Sequence, residues 1–288
     1  NSHLEKREIM KKVIKIIAGI TAIILIGILL FVANGMVGNP VSKTLAKQSA
    51  SKYIQKNYPN LDLKVERVNY SFKTGSYYAL IKSQTSIDTH FNLDISMTGK
   101  ILYDSYESHV ISGWNTWQRI DLEYRTMVDK VLNAPDFPYD SHIDFGSIEI
   151  KETDIEIGPI RPAYGLVLED LELDKKYDVK ELAKTAGHIT IYIESEEVTI
   201  KKASEILMDL KEIFDKEDVP FYAIDFALEK PRKDDGLPND NREEIWVKDF
   251  LYSDIYEEGL EERLTKAFLE LKEYYEKEDA KYKESNQN

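Results

Sequence analysis

Ile16-Ile17-Ala18-Gly19-Ile20-Thr21-Ala22-Ile23-Ile24-Leu25-Ile26-Gly27-Ile28-Leu29-Leu30-Phe31-Val32-Ala33 carries no charge, in a chain of which 31% is Asp, Glu, Lys or Arg. At about 1.5 Å of rise per residue, a hydrocarbon core of about 30 Å needs roughly 20 mostly apolar helical residues. Residues 13–37, with Lys15 near their start, supply them and read as one transmembrane helix. Lys6, Arg7, Lys11, Lys12 and Lys15 precede it, whereas Lys43, Lys47 and Lys52 follow at greater distance. That bias makes residues 1–12 a cytoplasmic basic tail and puts the rest of the chain outside the cell membrane. Lys15 can snorkel to the interface. A cleaved signal peptide has an apolar region of about 7–15 residues ending in a small-x-small site. Ala33-Asn34-Gly35 would serve as such a site, but the run is too long, so an uncleaved anchor is expected. The chain has no Cys, which removes attachment through a lipobox cysteine and every disulfide.

Beyond the anchor the charge divides. Residues 39–134 carry a net charge of +3 and residues 135–288 a net −20. Two compositions predict two domains, residues 39–134 and 140–283, joined at Ala134-Pro135-Asp136-Phe137-Pro138-Tyr139-Asp140, where two prolines disfavour helix. Residues 284–288 read as a disordered tail. A domain at −20 is not a nucleic-acid binder, and anionic head groups repel it. Its acidic surface is either simply solvated or attracts cations or a basic partner.

In the first domain, Asn39-Pro40 is an N-cap followed by a first helical position. Leu45, Ala46, Ser49, Ala50, Tyr53 and Ile54 then recur at helical spacing until Tyr58-Pro59-Asn60 stops them. Strands are expected over residues 63–72, 77–83, 89–97 and 101–106. The third alternates cleanly, with Phe91, Leu93, Ile95 and Met97 on one face and His90, Asn92, Asp94 and Ser96 on the other. Thr98-Gly99-Lys100 makes the following hairpin turn, where Gly99 supplies a positive φ. A helix from about Asn115, with Trp117, Ile120, Tyr124, Met127, Val128 and Val131 on one face, is expected to close this domain.

A helix followed by a meander that ends in Thr-Gly-Lys and Ile101-Leu102-Tyr103-Asp104 resembles the PepSY-type and cystatin-like modules. A second resemblance spans Gly38 to about Leu132. Gly38-Asn39-Pro40-Val41-Ser42-Lys43, Lys52-Tyr53-Ile54, Tyr58-Pro59, Val68-Asn69-Tyr70-Ser71-Phe72-Lys73, Tyr77-Tyr78-Ala79 and Asp88-Thr89-His90-Phe91 are similar to the YfjL-like family of Gram-positive membrane-anchored proteins. The likeness implies a membrane location and this architecture, and it brings no catalytic residue with it.

In the distal domain, residues 143–151 alternate as a strand and Tyr164 to Leu168 form a weaker one. Asp178 caps a short helix, Val179 to Ala186, with Gly187 as its stop. The strand Ile189 to Ile193 leads to a helix capped by Thr199, whose stripe Ile200, Ala203, Ile206, Leu207, Leu210, Ile213 and Phe214 must be core. Strands at Phe221 to Glu229 and Glu244 to Ser253 follow, then a long helix from about Glu257 that frays from Glu276. The order β-α-β-β-α predicts a second α+β domain, resembling a ferredoxin-like half.

Few residues bear chemistry in a recognisable pattern. The loop Lys233 to Asn241 is rich in Asp and Asn, but in an EF-hand frame counted back from Gly236 its first ligand would be Pro231, so it reads as a disordered hairpin tip. Asp225, Glu229 and Asp249 on neighbouring strands could approach one another as a hydrolase acid/base pair, although 41 acids between residues 135 and 288 make such coincidences common. The histidines at 3, 90, 109, 142 and 188 have no metal-ligand spacing, and neither a Gly-x-Ser-x-Gly nor a phosphate loop is present. No catalytic, cofactor-binding or metal-binding residue is therefore assigned, and no cofactor is expected. Tyr70, Tyr77, Tyr78, Tyr103, Tyr106, Trp114, Trp117 and Tyr124 are either core or a partner surface. The sequence thus reads as a membrane-anchored extracytoplasmic α+β protein that binds a protein or peptide at the cell envelope without catalysis. The alternatives are an extracellular hydrolase or wall-modifying enzyme using distal acids, and a structural element of an envelope complex.

Overall fold

The computed structural model describes residues 2–151, 163–233, 236, 237, 239 and 243–285. The chain forms two compact units, residues 1–112 and 113–288.

The first unit begins with the apolar helix α1 (Ser2–Val37), none of whose apolar window is buried against protein. Helix α2 (Pro40–Asn57) starts where expected: the Asn39 side-chain oxygen accepts from Ser42 N at 2.7 Å. Strands β1 (Leu63–Ser71), β2 (Ser76–Ser83), β3 (His90–Ile95) and β4 (Ile101–Asp104) form an antiparallel meander in the order β1-β2-β3-β4. Alternation decides its inner face. Tyr77, Ala79, Ile81, Phe91, Leu93 and Ile95 are buried with Ala46, Ala50 and Ile54 of α2. Gly99 takes φ 83° in the β3–β4 turn, and its N–H donates to Ser96 O at 2.9 Å. A π-helical turn, Glu107–Ile111, brings the chain to the end of the unit.

The second unit comprises α3 (Trp114–Leu132), β5 (Ser141–Ile148), α4 (Val179–Ala186), β6 (Gly187–Glu194), α5 (Ile200–Lys216), β7 (Ala223–Glu229), β8 (Glu244–Leu251) and α6 (Leu260–Ser285). Its sheet runs β5-β6-β7-β8. The β6–β7 pair is parallel, as the crossover through α5 demands, and the other pairs are antiparallel. Thr199 caps α5 by accepting from Lys202 N, and Ala203, Ile206, Leu207, Leu210 and Phe214 enter one core with Ile189, Ile191, Ile193, Ile224, Phe226 and Leu228.

Several expectations need correction. The helix expected to close the first domain is α3, and its stripe Ile120, Tyr124, Val128 and Val131 lies in the core of the second unit. The boundary therefore falls after Ser112 and not at residues 134–140, where Phe137 and Tyr139 pack against that same core. A stripe fixes that a helix is buried, but not which sheet covers it. Tyr164 to Leu168 is not a strand; Leu166 alone bridges Ile150. Gly187 ends α4 at φ −71°, extended and not left-handed, because it already opens β6. Helix α6 continues past Glu276 to Ser285, and the tail expected at 284–288 falls from residue 286 onward outside the described residues, as does most of the loop 233–241.

The fit of α3 on β5 rests on Gly146. A Cβ there would lie 2.5 Å from Val128 Cγ2 and 3.2 Å from Tyr124 Cε1. Gly146→Ala is expected to cost the second unit about 1–3 kcal/mol in chemical denaturation. Adding Val128→Ala should recover part of that loss, whereas simple additivity of the two losses would place α3 elsewhere.

Candidate functional site

One face of the second sheet is apolar and packed, and on the other alternation places polar side chains. On β6 these are His188, Thr190, Tyr192 and Glu194; on β7 they are Asp225 and Glu229, with Thr190 opposite Asp225 and Glu194 opposite Glu229. Among the described residues, two groups of His and carboxylate side chains converge on this face: His188 with Asp225 and Asp249, and His142 with Glu194 and Glu229. Each group sits at a β-bulge. The β7–β8 register shifts between Ile224 and Phe226, and Asp249 there adopts φ 51°. The β5–β6 register shifts at Ser141/Ile143, leaving His142 as the extra residue. Bulges re-aim side chains, and here each aims one member into its cluster.

His188 is 5% exposed. Its Nε2 lies 3.3 Å from Asp225 Oδ1, and its Nδ1 lies 2.5 Å from the Tyr164 hydroxyl, which donates to Asp249 Oδ1 at 2.8 Å. Asp249 N donates to Asp225 Oδ1 at 2.7 Å and closes the ring. Because Tyr164 has one proton and gives it to Asp249, its oxygen must accept from His188 Nδ1–H. Burial pulls the His188 pKa down, but the Asp225 hydrogen bond and charge, with the charges of Glu149 and Asp249, outweigh it and raise the pKa. Burial also pushes the Asp249 carboxyl up, and the Asp225 charge adds to the rise against the Tyr164 hydrogen bond. The Tyr164 hydroxyl is raised for the same first reason. The network is an imidazole held between two carboxyl groups, with a tyrosine as the bridge.

In the second group, His142 Nδ1 is 3.6 Å from Glu194 Oε1 and 3.4 Å from Glu229 Oε1. An Arg232 terminal nitrogen stands 2.9 Å from His142 Nε2, Arg232 Nε is 3.5 Å from Glu229, and Arg232 N donates to Glu194 Oε2 at 3.2 Å. A guanidinium only donates, so Nε2 accepts and the ring proton sits on Nδ1. Such a nitrogen offers a proton and not the lone pair a metal needs about 2.0 Å away. Arg232 supplies the positive charge that a metal would otherwise bring. In the first group both His188 nitrogens are engaged, whereas in the second His142 Nδ1 and Arg232 Nε are buried without a hydrogen-bond partner. The donor geometry of the first group is that of a closed network and does not fit a metal as built, and in the second Arg232 occupies the cation's place.

Of the three acids singled out from the sequence, Asp225 and Asp249 do meet, while Glu229 lies farther along β7 in the other group. His188, His142, Tyr164, Glu194 and Arg232 were not foreseen. The polar alternation His188-Thr190-Tyr192-Glu194, interleaved with Ile189, Ile191 and Ile193, was the signal available for two of them. The aromatic set divides: Tyr77 and Tyr124 are core, the Trp117 indole donates to Ile148 O at 2.8 Å, and Tyr103 is 57% exposed.

The raised pKa of His188 sets a stability prediction. The folded protein holds this proton more tightly than the unfolded chain, so the contribution is complete below the ordinary value near 6.5. It is lost as pH rises from there through the raised value, and the raised Asp249 carboxyl acts with the same sign in the lower window above the ordinary Asp range. Denaturation of the second unit is expected to show higher stability at pH 6 than at pH 9. His188→Gln should flatten that slope and cost about 3 kcal/mol at pH 6 by leaving the two carboxylates uncompensated.

Comparison with known proteins matches both halves of the chain. The profile of the YfjL-like N-terminal domain covers residues 10–105, and that of the YfjL-like C-terminal domain covers residues 123–265. Uncharacterized protein YfjL of Bacillus subtilis (strain 168) is 32% identical over 71 residues, 25% of this chain. The match spans about a third of that relative, 31% of its length. A DUF5037 family protein from Ruminococcus gnavus, known from a crystal structure, aligns over 64% of this chain and 74% of its own at 11% identity, with a TM-score of 0.19. With its two domain profiles matched in chain order, the chain belongs to the YfjL-like family.

Proposed function

We propose that the chain is a single-pass protein of the cell membrane, with residues 1–12 in the cytoplasm and both α+β units outside, and that it binds a protein or peptide partner without catalysis. The observation that carries the reading is α1, a helix long and apolar enough to span a bilayer with none of its apolar window covered by protein. The basic residues crowded before it support the orientation. The helix-on-meander form of the first unit is also what a PepSY-type module would have, and that narrower likeness belongs to this proposal.

The polar clusters favour binding over catalysis. His188, Asp225 and Asp249 present atoms within 4.8 Å of one another, and Tyr164 bridges His188 Nδ1 to Asp249 Oδ1. A glycosidase pair stands at least about 5 Å apart with the scissile bond between. Beside the clusters, Phe145, Tyr192 and Trp246 are half-exposed, and aromatic rings bordered by carboxylates suit a basic, extended segment of a partner.

A photo-reactive residue at Tyr192 or Trp246, installed in the full chain in native membranes, is expected to give a discrete adduct whose yield falls with added salt. Asp225→Asn, which removes one of the bordering carboxylates, should lower that yield in a protein that stays folded, without abolishing any envelope phenotype of the strain. Absence of an adduct at both positions, together with a phenotype lost in a folded Asp225→Asn protein, would favour the hydrolase instead.

A further inference from the structure

The end of the first unit nearest the anchor differs in charge from the rest of the molecule. Tyr70 and Tyr77 hold that end to the chain leaving α1. The Tyr70 hydroxyl donates to Gly35 O at 3.1 Å, and the Tyr77 hydroxyl both donates to Asn39 O and accepts from Asn39 N at 2.9 Å. The two rings are 5.1 Å apart. Pairing then decides what else shares this end. Tyr70 is opposite Tyr77 and Tyr77 is opposite Ile95, so the β1–β2 tip (residues 72–75) and the β3–β4 tip (residues 96–100) lie together beside the start of α2. The proximity of Gly99 to Leu45 and Ser49 agrees.

Lys43, Lys47, Lys73 and Lys100 are exposed there, and residues 38–47, 69–76 and 96–100 contain no Asp or Glu, in a chain whose net charge is −14. Between these lysines Val41 is 79% exposed and Phe72 67%. A hollow of about 590 Å³ opens beside Lys43, Tyr70 and Met36. Residues 13–37 would measure about 37 Å as a helix, more than the roughly 30 Å of hydrocarbon, so the last turn of α1 stands among the head groups. The hydrogen bond to Gly35 brings Tyr70 to that level, where tyrosine is at home. Phe72, the first residue of the β1–β2 tip, lies two residues beyond Tyr70, within about 7 Å.

We propose that this end of the first unit docks on the bilayer that holds the anchor, with Phe72 and Val41 in the interface and Lys43, Lys73 and Lys100 against anionic head groups. The proposal rests on the membrane reading above. It makes the first unit a surface-bound base, oriented by two attachments instead of one.

The absence of cysteine allows single-site labelling of the full chain in vesicles, either phosphatidylcholine alone or with phosphatidylglycerol. An environment-sensitive fluorophore is placed in turn at Leu25→Cys in the anchor, Phe72→Cys at the docking end and Ile87→Cys in the β2–β3 connection at the opposite end, and is challenged with nitroxide lipids. Deep quenching is expected at position 25, shallow quenching at 72 that strengthens with phosphatidylglycerol, and none at 87. Reversing Lys43, Lys73 and Lys100 to Glu should remove the phosphatidylglycerol dependence at 72, since each lysine near an anionic surface is worth about fivefold in binding. Quenching at 25 without quenching at 72 overturns the docking while the anchor stands. No quenching at 25 overturns the anchor, and the docking with it. Equal quenching at 72 in both lipids, unmoved by the charge reversal, overturns the assignment to anionic head groups.

Discussion

The two-residue link Gly38-Asn39 must pass from a long apolar helix into a packed unit, and Tyr70 and Tyr77 determine how it does so. Gly38 has φ 70°, and a Cβ there would meet Tyr77 Oη at 2.6 Å and Tyr70 Cγ at 2.8 Å. The link is thus a glycine because the two rings occupy the space a side chain would need. Asn39 caps the next helix while both its backbone groups are held by Tyr77. With the exit of α1 tied to β1 and β2, the strand pairing fixes which hairpins, lysines and exposed apolar residues lie nearest the end of that helix.

In the second unit the organising feature is a sheet whose two faces have different work. The apolar face takes helices on a continuous core, and the polar face carries two histidine–carboxylate networks built at bulges. Tyr164 is drawn onto His188 and Asp249, and Arg232 onto His142, Glu194 and Glu229. A buried imidazole between two acids is costly to break and gives little net stability when made, so its clearest effect is to fix where the Tyr164 segment lies. The aromatic residues beside it remain partly open.

Much of this fold was legible in residues alone. The alternation of Phe91, Leu93 and Ile95 located β3 and its inner face, the stripe from Ile200 to Phe214 located α5, and the uncharged run at 16–33 located the apolar helix α1. What escaped was set by pairing across long separations. The stripe of α3 is equally compatible with either sheet, and the close seat that Gly146 leaves for Val128 is invisible from either residue. His188 and Asp225 meet only because β6 and β7 run parallel, and Asp249 reaches them only through a bulge and a left-handed backbone that no local pattern announces. The family match confirmed the resemblance read in the first half of the chain and extended it into the second, where the sequence had been read by topology alone.

As proposed, α1 crosses the membrane and carries both units to the outside. Protease added to wall-stripped, unlysed cells tests this, with fragments followed by antibodies against each unit. Digestion of the chain beyond Pro40 is expected, with residues 1–12 protected. Protection of both units until the cells are lysed would contradict it and place the molecule on the cytoplasmic side.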